Sequence, residues 1–398
     1  MSTEAAQAIP RPLPPTARYV DGEMARISRA FDWLQAVSPL ATPALWDDFR
    51  AGGCRTGPQF RYPEPDIDIA RTREGLLELP IREIEDPVLE ALLAEKQHEL
   101  DRHLELMELR DTGGFLQVSV DLFGIAAPDL YATAQHILDV VPPHAATISD
   151  GVDVEEVLAA ARKQFDYYRG CCGDFAAEVE VSEDITAGLM VSKEKLIVCS
   201  SVRIPRERLD ALLHHEVGTH IVTFHNGSHQ PLRQLQFGLA HYDELQEGLG
   251  VLAEYLAGNL SAPRLRTLAA RVVAVRRLTD GAAFPDVFHE LCSCGFPGRA
   301  AFTITMRVFR GGGLTKDVVY LRGLRDLIDY LREGYPFDRL FVGKFSLGEL
   351  PAIERLHRNH QLVSPALLPS YLHNAQAQQR LAECVDVPLD HLYQRLVA

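Results

Sequence analysis

The stretch Ala211-Leu212-Leu213-His214-His215-Glu216-Val217-Gly218-Thr219-His220-Ile221-Val222 decides how this chain is read. It holds three imidazoles and one carboxylate in an otherwise uncharged, apolar run. Such a run predicts a buried helix, and burying Glu216 with no partner would cost several kcal/mol. A metal ion removes that difficulty. In hydrolytic zinc sites two histidines hold the ion, and the glutamate after the first activates the attacking water.

The spacing departs from the usual one. His215 and His220 are five residues apart, giving His-Glu-x-x-x-His. At about 100° per residue, five steps leave the second ring roughly 140° away from the first. In a regular helix the two rings would point to different faces. One extra residue absorbed as a π-type turn brings them back to one face, and such turns concentrate at functional sites. Gly218, between the two histidines, makes the distortion cheaper.

The same residue types recur at the same spacing in His98-Glu99-Leu100-Asp101-Arg102-His103. Here the frame is dense with charge, and Leu93, Leu100, Leu104 and Met107 define one apolar helical stripe. The expectation is a helix whose charges lie largely on its solvated face, with no metal role.

Two histidines leave zinc one protein ligand short of a catalytic site. The best source is the segment 242–255, with Leu245, Leu249, Leu252 and Leu256 along one side of a second helix. Glu247, followed by small and apolar residues, is the first choice. Glu244 and Glu254 remain open as ligands or as carboxylates that orient a histidine.

These segments carry a resemblance. His215-Glu216-Val217-Gly218-Thr219-His220, Asn226-Gly227 and Gln246-Glu247-Gly248-Leu249 resemble the bacterial proteins named for a Gln-Glu-Gly-Leu-Ala motif, also called flavohemoglobin expression-modulating proteins. Those are similar to the microtubule-associated tyrosine carboxypeptidases. Residues 310–321 and Gly343-Lys344-Phe345 extend the likeness, which covers most of residues 20–375. Gly250 stands where the motif has alanine, a small-for-small change. The resemblance implies a zinc carboxypeptidase that removes a C-terminal residue, with aromatic ends favoured. It also implies one Zn2+ per chain on His215, His220 and Glu247, with Glu216 as base. The residues alone lead to the same four side chains; the substrate comes only from the resemblance.

A carboxypeptidase must neutralise its substrate's terminal carboxylate, and arginine does so with a bidentate fork. Arg310 and Lys316 are the candidates for that role, and Tyr320 is the candidate for stabilising the oxyanion. His214, His225 and His241 are expected in supporting roles. Gly311, Gly312 and Gly313 lack the spacing of a phosphate loop and suggest a flexible loop beside the cleft.

The remaining sequence sets the background. The 398 residues suffice for a large core. A net charge of −15 with no basic stripe argues against a nucleic-acid partner. No run approaches the roughly 20 apolar residues that span a bilayer. Residues 1–18, with Pro10, Pro12, Pro14 and Pro15, lack a secretory core and read as a disordered or extended leader of a cytoplasmic protein. The seven cysteines show no paired framework, and the adjacent Cys171 and Cys172 and the Cys292-Ser293-Cys294 triplet read as buried free thiols.

The expected architecture is α+β, predominantly helical and zincin-like. Residues 19–145 form an N-terminal helical region, 146–375 the catalytic region and 376–398 a helical tail. Short strands at 177–181, 188–191 and 196–200 place a small sheet before the metal helix. Its edge either binds a peptide main chain or only packs on that helix. Helices are expected at 86–110, 127–140, 262–278, 284–292, 317–333 and 349–358. The competing functions are a non-enzymatic regulator that keeps zinc for structure, and a hydrolase of non-peptide amides. Intact Glu216 argues against the first, because a structural site needs no base and is closed by a fourth ligand.

Overall fold

The structure is a computed structural model that describes residues 10–40, 42–143, 151–183 and 188–394. Residues 1–9 of the expected leader lie outside the described residues. The N-terminal helix Pro15–Ala30 begins inside the expected leader, because Pro15 has the fixed φ that suits a first helical position.

The chain is α+β and mostly helical. Local signals start the main helices. Asp86 caps Pro87–Glu108 by accepting from the Val88 amide at 2.9 Å. Asp153 and Glu156 form a capping box at the start of Val154–Cys171. That helix runs through Gly170 to Cys171. The helix Gly298–Phe309 is not among the helices expected from the sequence, and Pro297 is its N-cap.

Three short strands form the sheet. Lys195–Cys199 is central, parallel to Glu178–Ser182 and antiparallel to Leu189–Ser192. Leu189–Ser192 is thus an edge strand, and it packs against the π-turn described below. A second pairing, Gly151–Val152 with Ile204–Pro205, leads the chain directly into the helix Arg206–His215.

The helix Tyr242–Leu256 is buried along most of its length and crosses Val319–Arg332 closely. A Cβ on Gly248 would lie 2.5 Å from the Gly323 carbonyl oxygen. One on Gly323 would lie 2.0 Å from that of Glu244. Only glycine at both positions permits this approach, which fixes the depth of Glu247.

Gly311, Gly312 and Gly313 do not form the flexible loop expected of them. All three have positive φ, and a Cβ on Gly311 would sit 2.3 Å from the Phe115 ring. The turn is packed, and its glycines allow the ring to approach. Among the described residues no helix is long and apolar enough to cross a membrane.

Candidate metal centre and cleft

Five-residue spacing has two outcomes in this molecule, and the backbone decides between them. The helix Arg206–His215 passes into a π-turn over Glu216–Ile221 before α-helix resumes at Val222–Ser228. The widened turn brings the His215 and His220 rings together, with centroids 5.1 Å apart and planes at 77°. Pro87–Glu108, by contrast, is unbroken α-helix. There His98 is exposed and His103 buried, as a rotation of about 140° requires.

The charge-rich frame of that second segment is nonetheless not solvated as expected. Lys96 and Glu99 are buried and paired at 2.6 Å, and Glu99 also accepts from the His241 amide at 2.7 Å. His103 stacks on Trp33 with centroids 4.6 Å apart, and its burial lowers its pKa to about 4. Helical periodicity placed these residues beside the apolar stripe, but tertiary packing covered them.

Glu247 comes from the Tyr242–Leu256 helix to face the two imidazoles. Its Oε2 lies 3.5 Å from His215 Nε2 and 3.9 Å from His220 Nε2. All three donor atoms fall within 4.8 Å of one another. Ligands about 2.1 Å from a tetrahedral zinc stand roughly 3.4 Å apart, so this donor set fits the ion with small adjustments. The opposite ring nitrogens are also held. His215 Nδ1 meets Glu254 Oε1 at 3.0 Å, and His220 Nδ1 meets Gln246 Oε1 at 3.3 Å. Both contacts leave Nε2 free to face Glu247. Glu254 is fully buried and is itself held by Arg208 at 2.8 Å and Arg264 at 2.9 Å. Glu244 instead pairs with Arg322.

The charges follow from this packing. Burial would lower His215, but Glu247 and Glu254 outweigh it and raise its pKa to about 10 in the metal-free protein. Burial lowers His220 to about 3. Burial opposes ionisation of Glu247 too, yet Lys316 and His215 hold it well below the usual carboxylate range. Glu216 is raised to about 7, chiefly by burial, against the pull of His215.

A cavity of about 200 Å³ opens beside this cluster. Its walls include His220, Glu247, Phe224, Tyr242, Trp33 and the edge-strand residue Met190. Four lysines also line it: Lys96, Lys193, Lys316 and Lys344, of which Lys193 donates to the Arg29 carbonyl oxygen at 2.7 Å. Lys96 is neutralised by Glu99. Lys316 lies 2.9 Å from Asp243 and 3.5 Å from Glu247, and these carboxylates raise its pKa against burial. Lys344 differs. It is 9% exposed and, among the described residues, has no carboxylate within ion-pair distance and no side-chain hydrogen bond. Its Nζ sits 5.6 Å from the Phe224 ring centroid and 5.8 Å from that of Tyr242. Burial lowers its pKa to about 8, against the attraction of Asp243, Glu247 and Glu216.

Sequence reasoning did not assign Lys344, although Gly343-Lys344-Phe345 was among the segments that carried the resemblance. Nothing local to it signals a site. Its backbone is pinned by Lys344 N donating to Leu235 O at 2.7 Å and Leu239 N donating to Lys344 O at 3.0 Å. Arg310 is not among the residues that line the cavity; it is buried, and its Nη1 donates to Ser38 Oγ at 3.0 Å. Tyr320 lies between cations, with Arg271 4.7 Å and Lys316 5.8 Å from its ring centroid. Its hydroxyl makes no hydrogen bond among the described residues, and burial and Glu247 raise its pKa.

A model of the microtubule-associated tyrosine carboxypeptidase family matches residues 47–387. The chain belongs to that family. The match spans His215, Glu216, His220, Glu247, Lys316, Tyr320 and Lys344. No curated protein matches the chain. Within the family motif, Gly250 is less neutral than its size suggests. A Cβ there would lie 2.6 Å from the His215 ring, so alanine would require the ring to shift. Asn226 and Gly227 are framework residues. Asn226 bonds Phe341 O at 2.7 Å and both the carbonyl and amide of Leu367, at 2.8 and 2.9 Å. A Cβ on Gly227 would meet the Leu235 carbonyl oxygen at 2.3 Å.

Proposed function

We propose that this chain is a zinc-dependent, zincin-like carboxypeptidase that hydrolyses the last peptide bond of a peptide or protein, favouring Tyr or Phe at the end. The observation that carries the reading is Lys344. It is an unpaired, nearly buried ammonium in an aromatic-walled cavity that borders the His215, His220 and Glu247 donor set. A buried cation without a counter-ion is costly. A C-terminal carboxylate supplies the counter-ion, and Phe224, Phe237, Tyr242 and Trp33 supply apolar and π surface for an aromatic side chain.

His215, His220 and Glu247 hold the metal in this reading. Zinc bound there supplies Lewis acidity at the scissile carbonyl and lowers the cost of ionising the attacking water. Glu216 takes the proton from that water and delivers it to the leaving amine, so that its carboxylate is regenerated. Glu254 keeps His215 in one tautomer and orientation. Lys316 holds Glu247 from the side away from the histidines. Tyr320, kept protonated, is the phenol assigned to the developing oxyanion. In this reading the edge strand Leu189–Ser192 pairs with the substrate main chain.

The test uses peptides of one sequence ending in free Tyr, free Phe or an amidated Tyr, incubated with zinc-loaded protein. Loss of one residue from the free-acid peptides, with far slower cleavage of the amide, is the expected result. Glu216→Gln should retain zinc and lose turnover. Equal cleavage of acid and amide would replace the carboxypeptidase reading with an endopeptidase one. Cleavage of no peptide would favour a regulator.

A further inference from the structure

A second set of metal-ligating side chains lies at the other end of the same helix. His225 and His229 are four residues apart on Val222–Ser228 and its C-cap, so they share one face, with ring centroids 4.5 Å apart. Opposite them, the chain leaving the helix Val154–Cys171 presents Cys172 and Asp174 on either side of Gly173. We propose that Cys172, Asp174, His225 and His229 form a second zinc site, closed by four side chains. It would clasp the 172–175 loop to the end of the helix that carries His215 and His220.

The geometry is that of a site. Cys172 Sγ is 3.0 Å from Asp174 Oδ1, and His225 Nε2 is 3.9 Å from the same oxygen. The ligand atoms of these three residues all lie within 4.8 Å of one another. His229 Nε2 is 2.9 Å from Asp174 Oδ2 but stands outside that 4.8 Å set, so its ring would swing inward to become the fourth ligand. One further observation points to an ion. His225 is 7% exposed, yet its Nε2 is buried with no hydrogen-bond partner. Its ring is fixed against Phe175, with centroids 5.2 Å apart. His229 Nδ1 lies 3.0 Å from the His225 carbonyl oxygen, which only accepts, so Nδ1 carries the proton. In the neutral ring Nε2 is then a lone pair aimed at a carboxylate. A second ring proton satisfies that contact, so it is the orphaned His225 Nε2 that points to an ion.

The donor set selects the cation. One thiolate, two imidazoles and one carboxylate suit tetrahedral zinc and do not suit magnesium or calcium, which take oxygen ligands. Four protein ligands leave no open position, so the ion would hold structure and perform no chemistry. Binding displaces the Cys172 thiol proton to solvent and leaves the thiolate on the metal. Cys171, exposed and outside the cluster, is the built-in control. This inference does not depend on the peptidase reading, because no catalytic residue takes part.

The experiment loads the full-length protein with zinc or with cobalt(II), removes free metal and measures bound metal and absorption. The His215, His220 and Glu247 set contains no sulfur, so thiolate-to-cobalt charge transfer reports the second site alone. Wild-type protein should hold about two zinc ions per chain. Cys172→Ser and His229→Ala should each hold about one and lack the charge-transfer band. Cys171→Ser should match wild type, and His215→Ala should keep the band. Retention of the first metal by Cys172→Ser shows that the variant is folded. A wild type with about one zinc, all of it lost in His215→Ala, overturns the proposal. So does a band that survives Cys172→Ser.

Discussion

Replacing Lys344 by methionine tests the proposal that this cleft binds a C-terminal carboxylate. Methionine keeps the length and the contact with Phe224 and Tyr242 while removing the charge. The Coulomb attraction of an ammonium and a carboxylate about 4 Å apart at an effective dielectric near 20 is about 4 kcal/mol, which sets a ceiling. Losing one partner of a desolvated, hydrogen-bonded charge pair costs about 2–5 kcal/mol. Water reaches one end of this cavity, so about 2–3 kcal/mol is expected, or roughly 30- to 150-fold in kcat/KM at 1.36 kcal/mol per tenfold. An amidated peptide has no carboxylate to lose, so its rate should barely change. The assay is a cycle of wild type and Lys344→Met against free-acid and amidated forms of one peptide, with zinc content checked in both proteins. The same cycle has a pH signature. Burial lowers Lys344 to about 8 in the free protein, so its charge is present below that value and lost above it. Wild-type kcat/KM on the free acid should therefore fall as pH rises through about 8, and Lys344→Met should not show that limb. A lysine lowered below its ordinary value opposes folding while it is charged, so the substitution should leave the fold intact at neutral pH. Equal slowing of the acid and amide peptides would refute the reasoning.

Two other perturbations follow from the same contacts. Glu254→Gln removes the charge that Arg208 and Arg264 share and weakens the hold on His215. Chelator competition should show zinc affinity reduced roughly 10- to 100-fold, and thermal unfolding should show a lower Tm. Gly323→Ala forces a Cβ against the Glu244 carbonyl oxygen at 2.0 Å, so denaturant unfolding should report a loss of about 1–3 kcal/mol or more. An unchanged unfolding midpoint would mean that the two helices separate without penalty.

The parts of the site that were legible in the sequence share a property: each is settled within one turn or two of helix. The apolar frame around His215, Glu216 and His220 marked a buried polar set. Their five-residue spacing demanded a π-turn, and the π-turn is present. The contrast with His98 and His103 shows why the pattern alone is insufficient. The same spacing in an unbroken helix sends the two rings to opposite faces. Glu247 was reachable because Leu245, Leu249 and Leu252 fix the phase of its helix. The three strands of the main sheet were found within one residue of their ends, since short β-branched runs between turn residues carry a local signal, while the two-residue pairing of 151–152 with 204–205 was not.

What lay outside reach depends on contacts between distant segments. Lys344 becomes an unpaired cation only because the 235–239 segment pins its backbone and Phe224 and Tyr242 wall it in. Lys316 loses its freedom to Asp243 and Glu247, 73 and 69 positions away in sequence. Lys96, Glu99 and His103 look solvated by composition and are covered by Trp33 and the 241–242 turn. Cys172 and Asp174 stand about 50 positions before His225 and His229, and no spacing rule joins them. The sequence by itself determined the helical class, the His-Glu-x-x-x-His helix and the chemistry of its side chains, because periodicity and composition act over a few residues. Only the tertiary structure decided which charges are paired, which cation is free and which ligands meet, because those depend on long-range packing that brings a side chain into a low-dielectric site with or without its partner.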